Sequence, residues 1–186
     1  MKGTLIVISA LLLVAVVTLA FLHFRAQRED TGPVAHVENE FEFTAHGPYK
    51  IVAPLFGASA ERAWGEGQWN PKFLYPLPER DTFGEVFTVA HGHLRSVWVN
   101  SAFDLEKGHV QYVYVIPDAQ AVLIDIHLEE EGPSATGVKV VYQRTALNPR
   151  FNAHVTKTGN DDREMGKEWQ TAIDASLERK GANPSP

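Results

Sequence analysis

Asp125 and His127 are the residues whose types and spacing point most directly to chemistry. They sit two apart in a Val/Ile-rich run, so an extended chain projects both from one face of a strand. A carboxylate and an imidazole so placed can shuttle a proton or begin a metal site, but they do either only with a third partner, and the run supplies none. His91-Gly92-His93 is another imidazole pair; without a local carboxylate or third histidine it reads as a turn between strands. Three enzyme signatures are missing. Gly57-Ala58-Ser59-Ala60-Glu61 fails G-x-S-x-G at its last position, and neither G-x-x-x-x-G-K-[ST] nor H-E-x-x-H occurs. The chain has no cysteine, which excludes disulfides, thiolate metal sites and cysteine nucleophiles. These patterns assign no catalytic residue, no metal and no cofactor.

Binding has better candidates. Trp64, Trp98, Tyr112, Tyr114 and Tyr142 combine large contact area with a polar tip, the make-up of a cavity for an apolar or ring-bearing ligand. The alternative at each is ordinary core, and that alternative is stronger for the related Trp69 and Trp169. Arg144 shares a strand face with Val138, Val140, Tyr142 and Ala146. It is either a charge at a cavity rim, able to pair with a ligand carboxylate, or a snorkelling edge residue.

The elements that must position these residues follow from periodicity. A short strand is expected over Glu40–Thr44, then a Gly-, Pro- and aromatic-rich stretch, Pro54–Pro78, with short helical turns, one of them capped by Ser59. Five strands come next, at Phe83–Ala90, Leu94–Asp104, His109–Ile116, Ala121–Glu131 and Thr136–Leu147. Their short links make them antiparallel neighbours, since a parallel pair needs a long crossover. On the fourth, Val122, Ile124, Ile126 and Leu128 face the core, leaving Leu123, Asp125, His127 and Glu129 outside. Asn148-Pro149 caps a helix that Gly159 is expected to break, with a second start at Asp161, three residues before Glu164. Met165, Trp169, Ala172, Ile173 and Leu177 then form one apolar stripe. Glu129-Glu130-Glu131 and Asp161-Asp162 read as solvated charges.

Residues 1–26 are expected to be a transmembrane anchor: Leu5–Leu22 is apolar save Ser9 and Thr18, and no charge lies between Lys2 and Arg25. A cleaved signal peptide is the alternative, disfavoured by the length of the run and the bulky Phe21. Residues 27–39 read as a linker, 40–180 as a folded domain and 181–186 as a disordered tail. The expected location is single-pass in a bacterial inner membrane with the domain extracytoplasmic. A net charge of -6 and the lack of a basic stripe argue against nucleic acid; oligomeric state is not legible.

The order of strand, short broken helices, antiparallel strands and a long C-terminal helix resembles the helix-grip architecture of the SRPBCC superfamily, which includes START lipid-transfer domains, Bet v 1-like allergens and polyketide cyclases/dehydrases. A bacterial, polyketide cyclase-like branch is similar in Glu61-Arg62-Ala63-Trp64, Gly67 to Leu74, Gly84-Glu85-Val86-Phe87 and Tyr142-Gln143-Arg144-Thr145-Ala146-Leu147. The resemblance covers roughly Phe41 to Leu177. It implies an α+β fold in which a curved antiparallel sheet of about six strands wraps a long C-terminal helix and encloses an apolar cavity. It further implies binding of a small hydrophobic or lipid-like ligand, here beside a membrane. The alternatives are a cyclase, dehydratase or hydrolase of the same fold, which needs an inward ionisable group that the face assignment lacks, and a membrane-anchored interaction module.

Overall fold

The computed structural model describes residues 14–21, 32–65, 67, 69–92 and 94–182. Its strands are β1 (His36–Ala45), β2 (Lys72–Tyr75), β3 (Val86–His91), β4 (Leu94–Asp104), β5 (His109–Ile116), β6 (Gln120–Gly132) and β7 (Ala135–Ala146). Between β1 and β2 lie a helical turn, α1 (Tyr49–Val52), and two 3-10 turns, Ala53–Phe56 and Ala60–Ala63. The chain closes with α2 (Asn152–Asp162) and α3 (Met165–Ala182).

Seven strands, against about six expected, form one antiparallel sheet in the order β1-β7-β6-β5-β4-β3-β2. The extra strand is β2, hidden among prolines and glycines. It stands at the sheet edge, where flanking prolines remove no ladder bond from a second neighbour, and Phe73 fixes it by packing on the Phe87 ring at 5.6 Å. Two other boundaries move. Four residues of the expected linker, His36 to Asn39, pair with Thr145 to Tyr142 of β7. At β3 the strand begins at Val86 rather than Phe83, because Gly84, at φ +76°, turns the chain just before it.

Alternation holds through the sheet centre. Val122, Ile124, Ile126 and Leu128 are buried on the concave face of β6, and Asp125, His127 and Glu129 point the other way. The concave face meets α1, the 3-10 turns and α3. Phe56, Phe87 and Ile173 are fully buried there, each contributing about 1.5–3 kcal/mol. The stripe Met165, Trp169, Ala172, Ile173 and Leu177 faces this core as expected.

The helix boundaries require corrections. Asn148 caps as anticipated, its side chain accepting from Arg150 N at 3.0 Å, but the first turn is 3-10. Gly159 does not break α2. A Cβ there would lie 2.7 Å from Val37 Cγ1, so the glycine lets helix and sheet approach, and its carbonyl accepts from Asn39 Nδ2 at 2.5 Å. The break comes instead at Arg163 and Glu164, and Asp161 lies within α2, paired with Lys157 at 2.6 Å, rather than capping α3. Ser59 makes no side-chain cap either. Asp81 takes that role from a distance, accepting from Ser59 N at 2.6 Å and Ala60 N at 3.2 Å.

Most of the expected anchor, the rest of its linker up to residue 31 and the last four residues lie outside the described residues. Residues 14–21 are helical, with Val14, Leu19 and Phe21 exposed. Among the described residues no helix is long and apolar enough to cross a membrane.

Candidate functional site

Two adjoining cavities lie between the concave sheet face, the 3-10 turns and α3. The inner one, about 180 Å³, is walled by Phe56, Trp98, Tyr112, Ile124, Ile126 and Tyr142. The outer one, about 240 Å³, is walled by Trp64, Gly65, Val89, His91, Glu168 and Ala172. Glu61, Trp69, Met165 and Trp169 border both. A cleft of about 640 Å³ elsewhere is open and walled largely by charged side chains, Glu42, Lys107, Glu129 and Lys139 among them. It has none of the aromatic enclosure of the pair.

The aromatic walls are held by their polar tips. Trp64 Nε1 donates to Leu55 O at 2.7 Å, Trp69 Nε1 to Ala58 O at 2.9 Å and Tyr112 Oη to Phe56 O at 3.0 Å. Trp98 Nε1 donates to Ser96 Oγ at 2.6 Å, and the same hydroxyl lies 2.8 Å from His91 Nε2. The rings also brace one another, Trp64 on Trp169 at 5.2 Å and Trp69 on Trp98 at 5.4 Å. The indole N–H groups of Trp64, Trp69 and Trp98 are thereby satisfied by the protein, leaving their π-faces for an occupant.

Glu61 is different. It stands on the second 3-10 turn, which Asp81 fixes at its start, and its carboxyl makes no hydrogen bond to any described residue. Burial, and secondarily the Asp81 carboxylate, push its pKa up to about 8. At neutral pH it is mainly protonated, able both to donate and to accept. Glu85, buried behind the inner cavity, is raised to about 7 by burial, but Thr82 N donates to it at 2.8 Å and Asn100 and Tyr112 lie 3.4 Å away. His91, beside the outer cavity, is shifted down by burial.

Four expected binding residues therefore line a cavity: Trp64, Trp98, Tyr112 and Tyr142. Tyr114 and Arg144 do not. Arg144 is buried rather than at a rim. Its Nε and Nη2 donate to Asp162 at 2.6 and 2.7 Å, its Nη1 to Tyr114 Oη at 2.8 Å, and its guanidinium lies 4.9 Å from the Tyr142 ring centre. Its charge is met by Asp162, and three of its five N–H donors are taken by Asp162 and Tyr114. Asp162 is correspondingly buried rather than solvated. Trp69 and Trp169, for which plain core was the stronger reading, form the wall common to both cavities. The sequence reading missed Glu61, because a single acid in an irregular segment carries no periodic signal. His93 lies outside the described residues.

No protein-family model and no curated protein sequence matches the chain. Solved structures do. The Mll3558 protein from Rhizobium loti is 20% identical with a TM-score of 0.54, over 78% of this chain and 99% of that one. Norcoclaurine synthase from Thalictrum flavum, in complex with dopamine and hydroxybenzaldehyde, is 8% identical with a TM-score of 0.57, over 82% and 90%. Ara h 8.0201 is 14% identical with a TM-score of 0.55, over 78% and 99%. The fold is the START-like helix grip. In this helix grip the cavities occupy the space between sheet and C-terminal helix, and Glu61 is the acid that reaches both of them.

Proposed function

We propose that this helix grip binds a small amphiphilic ligand whose apolar, ring-bearing body lies against the tryptophans and whose polar end meets Glu61. The observation that carries the reading is a half-buried carboxyl that faces an aromatic cavity and makes no hydrogen bond to any described residue. Desolvating a polar group without pairing it is costly, so a half-buried carboxyl at a cavity wall gains from a ligand that satisfies it as the ligand displaces water. Size narrows the class. A cavity of about 150 Å³ accepts benzene, so volumes of about 180 and 240 Å³ suit one or two rings. A lipid-like ligand of the kind expected from sequence would have to extend through both cavities, which Met165 and Trp169 border in common.

The apolar run Leu5–Leu22, long enough to span a hydrocarbon core, supports a membrane tether with the domain held beside the bilayer. Resistance of the full chain to alkaline extraction from membranes tests that part separately.

An enzyme of the same fold is the second reading, and Glu61 favours it. A carboxyl with a pKa of about 8 is suited to general acid or base work near neutrality. Native mass spectrometry of the full chain, before and after organic extraction, decides first. A reproducible small adduct lost on extraction, and lost from Glu61→Ala, supports a binder; an adduct whose mass changes when Glu61→Gln replaces the native protein supports turnover. Bare protein that also fails to take up indole by calorimetry refutes both.

A further inference from the structure

The convex face of the sheet, away from the cavities, carries a cluster that the sequence reading lacked one member to complete. His109 on β5 stands directly opposite His127 on β6, and Asp125 lies two residues along β6 on the same face. The two imidazoles are near parallel, 5.0 Å between ring centres and 7° apart. Both turn the same nitrogen to one carboxylate: His109 Nε2 lies 2.7 Å from Asp125 Oδ1 and His127 Nε2 lies 3.1 Å from Oδ2. The donor atoms of all three residues fall within 4.8 Å of one another.

We propose that His109, Asp125 and His127 bind a divalent transition-metal ion of the zinc class. Two imidazoles and one carboxylate are a donor set for Zn, Co, Ni or Fe(II) and a poor one for the oxygen-seeking Mg and Ca. Metal–ligand lengths of about 2.0–2.2 Å ask the donors to close in by roughly 1 Å, which side-chain rotation supplies at part-exposed positions. The strands hold everything else. A cross-strand pair brings its Cβ atoms to about 4.5–5.5 Å, and here the pair is the end rung of an eight-rung ladder between β5 and β6.

The surroundings suit a cation. Gln111 Nε2 donates to Asp125 Oδ1 at 3.0 Å, an outer contact that orients the ligating carboxylate. Glu129 continues the same face beyond His127. The cation opposite His127, Lys139, is engaged by Glu40 at 2.9 Å and Glu42 at 3.2 Å, so its charge is met before it can repel an ion. Exposure of 33, 24 and 54% for the His109, Asp125 and His127 side chains leaves the outer coordination positions open to water or to an anionic group. Three protein donors with an open position are the arrangement of a reactive rather than a purely structural ion.

Titration of the untagged full chain with Co²⁺, read by its visible absorption, and with Zn²⁺ against a chromophoric chelator tests the assignment. The expected result is one ion per chain, with affinity falling at least tenfold in Asp125→Asn and to background in the double variant His109→Ala/His127→Ala. Gln111→Ala should weaken binding about tenfold through the carboxylate alone. Because the sequence holds eight histidines, the double variant is the decisive comparison. Uptake that persists undiminished in a folded double variant assigns the ion to other histidines and overturns the site. So does the absence of stoichiometric uptake by the native chain with protein and metal both well above micromolar.

Discussion

Arg144 and Glu61 are both ionisable and both on the concave side of the sheet, the first buried and the second half-buried, yet the protein treats them in opposite ways. Arg144 is met on every side, by the Asp162 carboxylate, the Tyr114 hydroxyl and the Tyr142 ring, and it ties β7 to α2. Among the described residues the Glu61 carboxyl has no hydrogen-bond partner and no counter-ion; desolvation, with the like charge of Asp81 second, drives it toward the neutral form. A buried charge completed by the protein belongs to the architecture. A partly desolvated acid left without a partner is a candidate point of contact for an occupant.

The largest expected effect breaks the completed side. Arg144→Ala leaves Asp162 buried and unpaired and should cost about 3–5 kcal/mol in urea unfolding, whereas Arg144→Met combined with Asp162→Leu should recover most of that loss. A single variant that costs no more than a surface change would mean that Asp162 does not depend on Arg144.

Next comes Glu61. Its folded pKa lies above the usual carboxylate value, so the folded state binds more protons than the unfolded one between about pH 4.5 and 8. Stability present at low pH is therefore lost as pH rises through that window. Glu61→Gln, neutral throughout, should remove this slope and gain on the order of 2 kcal/mol above pH 8, with a residual slope from Glu85, raised to about 7, in the same direction. The same ionisation should weaken indole binding as pH passes about 8, and Glu61→Gln should bind indole equally at pH 6 and 9.

A smaller change sharpens the comparison by filling the space itself. Ile126→Phe projects added volume into the inner cavity and should abolish indole uptake while moving unfolding stability by only about 1 kcal/mol, because the ring enters an existing void. The smallest effect is a control one residue from Asp162. Asp161 pairs with Lys157 in the open, so Asp161→Asn should stay within about 0.5 kcal/mol of the native chain.

The central sheet was readable because alternation is a local signal: the phase of Val122 to Leu128 decides which side each neighbour faces, and it placed Asp125 and His127 correctly outward. Edge strand β2 was not readable, since Lys72–Tyr75 is too short for a pattern and owes its place to Phe87. Gly159 misled for a related reason. Its intrinsic cost to a helix is visible in sequence, but the Val37 contact that requires it is 122 residues away along the chain. The site divides likewise. Aromatics announce themselves by type, and four of the five proposed from sequence line the cavities. The partners that assign a role to a charged residue do not: Asp162 claims Arg144 from a helix, and His109 completes Asp125 and His127 only through the β5–β6 register.

One feature of the cavity walls also determines how the protein can be observed. The sequence holds four tryptophans, and all four, Trp64, Trp69, Trp98 and Trp169, border the two cavities. The ultraviolet emission of this molecule is therefore almost wholly a report from the cavity lining. Wavelength and intensity should respond to any change in hydration or occupancy there, while events on the convex face of the sheet pass nearly unseen. The grip carries its own optical probe, placed where an occupant would have to touch it.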